Sequence, residues 1–464
     1  MTAALLAAVL LTVLILGANT LFWTVIGIGR RLLPRRRKAS ATRHRSRQRH
    51  GHSLERGGHQ FENEDVAVLI PAHNEAAVLE GSLRAVAALL PPSQIHVISD
   101  GSTDHTADIA ARFGVHVLDL SPNRGKAGAL VAGIEHFDLP RRFKVVLLLD
   151  ADTRLAPDYL STGLPLFDDP AIVAVAGRVK CLWDPPPRTR MGRFLVSYRS
   201  RVYALTQLLV KYGQAARWAN VVSIVPGFAS MYRTDILHHI DIAAPGLVIE
   251  DFNMTFEVHA KKLGRIAFHP DTAVAFTQDP DTWHDYVGQI RRWTLGYWQT
   301  VRRHGLLHIG RFWVALSLQV AELISSSVIL LTMLPLMLLA TYSETLANRY
   351  GNPKVMGLEV IGTLAPYYVV FGFLLPDLAL TVFAAFTLRR PGLLLVAPVF
   401  PFMRIVEAYV CLRAIPMSVS RTQSSGRWIS PTRRKATSPS ISGRHRISGR
   451  QRPSLTATSL EGAA

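Results

Sequence analysis

Two scales of hydrophobic pattern divide the chain. Residues 2–28 contain no charged side chain, and residues 312–342 and 358–388 form two further long apolar stretches. At 1.5 Å per residue each is long enough to cross a ~30 Å hydrocarbon core. Residues 391–415 are also apolar but contain Pro391, Pro398, Pro401, Arg404 and Glu407, which predicts an interfacial or re-entrant segment rather than a span. Between the ends, residues 62–280 have no spanning stretch. There, short apolar runs alternate with helical patterns. Strands are predicted at 66–70, 95–99, 115–118 and 144–149, and helices at 75–90, 103–113, 126–136 and 252–262. Strands alternating with helices imply an α/β domain with a mainly parallel sheet, whose ligands bind at the carboxyl ends of the strands.

Charge then orients this picture. The 464 residues carry a net charge of +19, concentrated in two segments: 30–60 carries +10 and 421–464 carries +8. Both are rich in Ser, Arg, Gly and His, so they read as a basic linker and a solvated, disordered basic tail that can rest on anionic lipid. A nucleic-acid-binding protein would spread its basic residues over a folded face, so no nucleic-acid partner is expected. Positive charge follows the first apolar stretch instead of preceding it, which predicts an uncleaved anchor. The positive-inside rule places the linker and the middle domain in the cytoplasm and the loop 343–357 outside. The expected organisation is an N-terminal transmembrane helix (1–29), a basic linker (30–61), the cytoplasmic domain (62–280), an amphipathic interface helix (281–310), a C-terminal membrane region (311–415) and the tail (416–464). Two cysteines, Cys181 and Cys411, exclude a disulfide scaffold and a cysteine zinc site.

Polar clusters fall at the predicted strand ends: Pro71-Ala72-His73-Asn74-Glu75, Asp100-Gly101-Ser102-Thr103-Asp104 and Asp150-Ala151-Asp152. On extended backbone, side chains at i and i+2 point the same way, so Asp150 and Asp152 suit Mg2+ or Mn2+ shared with a diphosphate. A pair of loop caps is the alternative for an isolated D-x-D. Neither a phosphate-binding G-x-x-x-x-G-K-[ST] loop nor a dinucleotide-binding G-x-G-x-x-G after a strand is present, so P-loop ATPase and nicotinamide chemistry are unsupported. Asp251 is both a candidate general base and, at the start of a predicted helix, a candidate N-cap. Trp283, Trp293, Tyr297 and Trp298 among arginines, just before an apolar stretch, mark a membrane interface, with Trp298 a candidate anchor. Glu322 inside the second stretch is a candidate lining of a polysaccharide channel, a bond to another helix or a residue near the interface. Asp377 beside Pro376 is a weaker example.

The order of these clusters, followed by Asn123-Arg124-Gly125-Lys126, Pro226-Gly227-Phe228, Ile249-Glu250-Asp251 and Gln289-Ile290-Arg291-Arg292-Trp293, resembles the membrane-bound family 2 glycosyltransferases that make chitin, cellulose, hyaluronan and poly-N-acetylglucosamine. The resemblance covers about residues 62–300 and implies a GT-A fold. It implies that Pro71, Asn74, Glu75, Asp100, Lys126, Asp150, Gln289 and Arg292 bind the nucleotide donor. It further implies Asp150 and Asp152 at the metal, Asp251 as base, and Gly227, Glu250 and Trp293 near the acceptor. Ser99 stands where many relatives have a first acid beside Asp100.

The function so implied is processive synthesis of a β-linked polysaccharide from a UDP-sugar, with UDP-N-acetylglucosamine the first choice, at a multi-pass plasma-membrane site with coupled export. The growing polysaccharide, the UDP-sugar and the bilayer are the expected partners; no protein partner is indicated. Transfer of a single sugar to a lipid is the runner-up. A basic membrane scaffold without catalysis and a transporter are the readings from other classes.

Overall fold

The computed structural model describes residues 17–33, 61–350, 370, 373–419 and 433–434. Most of the linker, most of the tail, residues 2–16 and most of residues 351–372 lie outside them.

The middle domain is built on a seven-stranded sheet in the order β3-β2-β1-β4-β8-β6-β9. Its first four strands are Val66–Ala72 (β1), Ile95–Asp100 (β2), His116–Leu120 (β3) and Val145–Leu149 (β4), all parallel to one another. The predicted strands match these within two residues. β1, β2 and β4 are buried along their whole length. Their continuous apolar sequences suit a sheet covered on both faces. Three strands the sequence pattern did not predict complete the sheet: Ile172–Ala176 (β6), Ala229–Arg233 (β8) and Arg265–Ala267 (β9). β8 runs antiparallel to both β4 and β6, so the sheet is mixed but mainly parallel. Arg154–Leu155 (β5), Arg178–Cys181 (β7) and Val274–Thr277 (β10) form a small second sheet.

The helices, in chain order, are Ala18–Leu32 (α1), Leu79–Ala87 (α2), Thr106–Arg112 (α3), Gly125–His136 (α4), Arg190–Leu205 (α5), Glu250–Ala260 (α6), Trp283–His304 (α7), Arg311–Tyr350 (α8), Leu375–Leu388 (α9) and Phe400–Val419 (α10). The expected helix at 75–90 is confined to α2, because Asn74 takes a left-handed backbone (φ 54°) and residues 76–78 form turns. One face of the sheet packs α2 and α3 through Leu79, Leu83, Val86 and Ala110; the other packs α4 through Ala129, Leu130 and Ile134.

Among the described residues, two helical stretches are long and apolar enough to cross a membrane: Arg311–Thr345 and Leu393–Val419. The second covers the segment predicted to be interfacial, and it continues through residues assigned to the tail. α8 also runs eight residues into the expected loop 343–357, through a polar helix-forming sequence, Ser343 to Tyr350. α9 is a shorter apolar helix. α1 extends through Arg30 and Arg31 of the expected linker.

Glu322 on α8 bonds to another helix. Its carboxylate accepts the Thr20 backbone N–H at 3.1 Å and the Thr20 hydroxyl, at the start of α1. The first N–H groups of a helix lack partners within it, and a carboxylate suits the positive end of the dipole. Of the sequence readings, the bond to another helix is the one the structure shows. Asp377 is likewise paired inside the protein, with Arg201 at 2.6 Å and Arg404 at 3.7 Å.

Candidate active site

The carboxyl ends of β1, β2 and β4 bring the expected clusters to one edge. β2 delivers Asp100, fully buried, to its last position. The Asp100 carboxylate accepts the Arg124 backbone N–H at 2.7 Å, while its second oxygen has no hydrogen-bond partner among the described residues. Burial pushes this carboxyl above its ordinary range, against the N–H groups of Arg124 and Gly125. Asn123 donates to the Asp100 carbonyl at 2.8 Å and meets His73 Nδ1 at 3.1 Å. Gly101 allows this close approach: its φ is +63°, and a Cβ there would stand 2.9 Å from the Asn123 nitrogen. Asn74 braces the neighbouring loop by accepting the Thr103 N–H at 2.8 Å. Pro71 sits inside β1 and is buried with it.

The D-x-D pair departs from the sequence expectation. β4 ends at Leu149, and residues 151–152 form a turn, not extended backbone. The two carboxylates therefore meet different cations. Asp150 pairs with Lys126 Nζ at 2.8 Å. Asp152 accepts the Thr153 and Thr277 hydroxyls on one oxygen and the Arg433 guanidinium on the other. Burial pushes Asp152 up to about 6, opposed by Arg433 and reinforced by Asp150 and Glu75.

Lys126, at the start of α4, bridges two elements. Besides Asp150 it pairs with Glu250 at 3.0 Å, on the first turn of α6. Burial alone would lower this ammonium, but Asp150 and Glu250 outweigh burial and hold it above its ordinary range. Gly227 forms the floor here: a Cβ on it would stand 3.0 Å from Lys126 Nζ and 3.1 Å from the Glu250 carboxylate.

Asp251 follows on the same turn. The N-cap of α6 is Ile249, so Asp251 is a first-turn residue and not the cap that the sequence also allowed. Its carboxylate accepts the Phe252 N–H at 2.8 Å and the Gly227 N–H at 3.3 Å. Burial and the adjacent Glu250 push it up to about 7, against Lys126 and these two N–H groups. A carboxylate so raised is matched to proton abstraction near neutral pH.

Residues 67–241 match the family model described as Glycosyl transferase family 2. This is a family 2 glycosyltransferase domain. The chain is 29% identical over 246 residues to "Probable glycosyltransferase YdaM" of Bacillus subtilis, covering 50% of this chain and 54% of that protein. It is 26% identical over 256 residues to the poly-beta-1,6-N-acetyl-D-glucosamine synthase of Staphylococcus epidermidis, covering 52% and 58%. The chain thus spans little more than half the length of these relatives. Among solved structures it is similar to the mannosyltransferase PcManGT from Pyrobaculum calidifontis in complex with GDP-Man and Mn2+, at a TM-score of 0.46 and 17% identity, over 79% of this chain and 96% of that one.

Gln289, Arg292 and Trp293 lie beyond the matched residues, on α7. Arg292 reaches the same centre: burial and Arg433 lower it, while Asp150, Glu250 and Asp251 oppose them. Gln289 and Trp293 are held from behind by Arg199 on α5, which donates to the Gln289 side chain at 2.7 Å and lies over the Trp293 ring at 4.6 Å. Arg199 is itself buried against Asp279 at 3.6 Å. α7 is less of a surface helix than its sequence suggests. Trp298 is buried and donates its indole N–H to the Cys411 carbonyl on α10, so it ties two helices together and is no lipid anchor.

The sequence reading missed His73, Asn123, Arg199, Lys211, Arg433 and Arg434. His73 and Asn123 were inside noticed motifs, and their hydrogen-bonding chemistry was the available signal. Lys211 lies buried on a π-helical segment, Thr206–Lys211, 5.0 Å from the Phe268 ring; burial pushes it down to about 7, with Asp251 opposing. Arg433 and Arg434 correct the expectation of a solvated tail. Arg434 is buried and Arg433 half-buried against the site, because carboxylates and carbonyls there offer bonds that water would otherwise supply.

No group of three or more His, Cys, Asp or Glu side chains that could hold a metal stands among the described residues. The donor set nonetheless fits a hard divalent cation. Such ions are commonly bound through one or two carboxylates, with substrate phosphate and water completing the shell. Asp152 and its neighbour Glu75 already share one cation, the Arg433 guanidinium.

Proposed function

We propose that the protein is an inverting glycosyltransferase that extends a β-linked polysaccharide from a UDP-sugar, first UDP-N-acetylglucosamine, at the cytoplasmic face of the plasma membrane, with export of the product. The observation that carries this reading is the convergence of Asp251, raised toward neutrality, with Lys126, Asp150 and Arg292. In this reading Asp251 is the base, and the other groups of the centre are cationic or able to share a cation.

In this mechanism Asp251 accepts the proton of the acceptor hydroxyl as that oxygen attacks the anomeric carbon. The bond from that carbon to the diphosphate breaks, and the electron pair leaves with UDP. Arg292 and Lys126 stabilise the departing charge, the guanidinium by a planar fork that can hold two oxygens. A divalent cation bound at Asp152, with Asp150 beside it, would supply Lewis-acid stabilisation of the same diphosphate. Asp100 and its ring of His73, Asn123 and Asn74 form a polar pocket suited to a nucleobase. The Trp293 ring offers a flat face toward the acceptor.

The test is UDP release by the full chain in lipid, across a panel of UDP-sugars with Mg2+ or Mn2+, with products sized. Long chains from one donor support the reading. A single-sugar lipid product would replace it with the non-processive alternative, and absence of turnover with every donor would refute it.

A further inference from the structure

Arg433 and Arg434 are adjacent, yet their side chains are held by two different built sites. Arg434 enters a cage of main-chain carbonyls. Its guanidinium donates to Leu182 and Pro185 at 3.1 Å each and to Asp279 at 3.0 Å. The Gln278 side chain reads its backbone in both directions: Oε1 accepts the Arg434 N–H at 2.6 Å, and Nε2 donates to the Arg434 carbonyl at 3.1 Å. Five bonds hold a residue that is 4% exposed. A planar, many-donor guanidinium is the side chain that fits such a cage.

Arg433 is thereby set between Glu75 and Asp152. It donates to the two oxygens of Glu75 at 2.9 and 2.8 Å and to one oxygen of Asp152. Glu75 and Asp152 are both buried. Two buried carboxylates are strongly unfavourable without a compensating cation. They do not tolerate two: a divalent ion bound to Asp152 would face the guanidinium at close range in a low-dielectric setting.

We infer that Arg433 is an internal competitor for the divalent-cation site, seated by the Arg434 cage, and that Arg433 must leave Asp152 before a metal ion is bound there. The carbonyl cage is then a binding site for this chain's own arginine, and its occupancy sets the apparent metal affinity. This rests on the reading of Asp152 as a metal ligand.

The test is Mn2+ binding to the full chain in lipid without donor, followed by the spectroscopic signal of free Mn2+. R433A should bind Mn2+ about tenfold more tightly than wild type, as expected if the competent state is about one tenth populated. R434A, which loosens the anchor and leaves both carboxylates intact, should shift affinity the same way. In the wild-type protein, added Mn2+ should speed hydrogen exchange at the Arg434 amide, a readout that needs no variant. Unchanged Mn2+ affinity in R433A and R434A, with D152N abolishing binding, would overturn the competition and leave the metal reading standing. Binding unaffected by D152N would overturn both. Weakened UDP binding in R433A at unchanged Mn2+ affinity would make Arg433 a diphosphate ligand and also overturn the inference.

Discussion

At Asp251 burial and two neighbours set the chemistry. Burial and Glu250 raise its carboxyl, and Lys126 restrains the rise. A base acts when deprotonated, so transfer should fall as pH drops through about 7. E250Q removes a negative charge that raises Asp251, so the acid limb of the pH–rate profile should move to lower pH; a limb that stays put would remove Asp251 from the role. D251N should lower kcat by roughly 10²–10⁴-fold, the usual worth of general base catalysis, with UDP binding within twofold of wild type by calorimetry. The same shift carries a stability cost. The folded state holds the Asp251 proton more tightly than the unfolded chain, whose ordinary value is 3.8. The group's favourable contribution is complete below that value and is lost as pH rises through about 7. The melting temperature of D251N should therefore gain on wild type between pH 4 and pH 7.

Elements meet at the site through unusually close packing. α1 lies against the π-helical segment and the short helix Tyr212–Gln214. A Cβ on Gly213 would stand 2.0 Å from the Trp23 carbonyl oxygen, and one on Gly27 would stand 2.1 Å from that of Leu209. Arg30 adds a stack 4.0 Å over the Tyr212 ring. Since this segment carries Lys211 toward Asp251, G213A should force α1 away and destabilise the protein by about 1–3 kcal/mol, the usual cost of overpacking. A melting temperature equal to wild type would refute that. α5 supports α7 similarly through Arg199. R199K keeps the charge but not the fork or the ring stacking, so transfer should fall by about tenfold or more with helix content unchanged by circular dichroism.

Over the whole molecule, the site lies where the α/β sheet meets helices apolar enough for a membrane. α9 and α10 reach it through Arg201–Asp377 and through Glu407, which accepts the Tyr198 hydroxyl at 3.0 Å and the Tyr286 hydroxyl at 2.6 Å. The proposed orientation predicts that His284, exposed on α7, faces the cytoplasm and that Glu344, exposed near the end of α8, faces outward. Both native cysteines are buried, and burial raises the Cys181 thiol well above its ordinary range, so they should stay unlabelled. In intact cells a membrane-impermeant maleimide should therefore label E344C and leave H284C untouched. The reverse pattern would invert the topology.

The sequence by itself determined the parallel half of the sheet, because the apolar runs of β1, β2 and β4 are continuous and the polar clusters at their ends are local in the chain. It also put the polar clusters at the ends of those strands. The antiparallel strand β8 and its partners were not legible: short runs of mixed polarity such as Ala229–Arg233 gain their identity only from the neighbours they pair with. Only the tertiary structure decided how charges are shared. Asp150 and Asp152 read as one metal pair on extended backbone, yet a turn after Leu149 sends them to different cations. The partner of Glu322, open among several in the sequence, was fixed only when α1 was placed beside it. Arg433 and Arg434 read as part of a solvated tail, because nothing local in Thr-Arg-Arg-Lys marks a residue that is buried. Their seating comes from carboxylates and carbonyls more than 150 residues away in the chain, and such long-range compensation of charge leaves no periodic trace in the sequence.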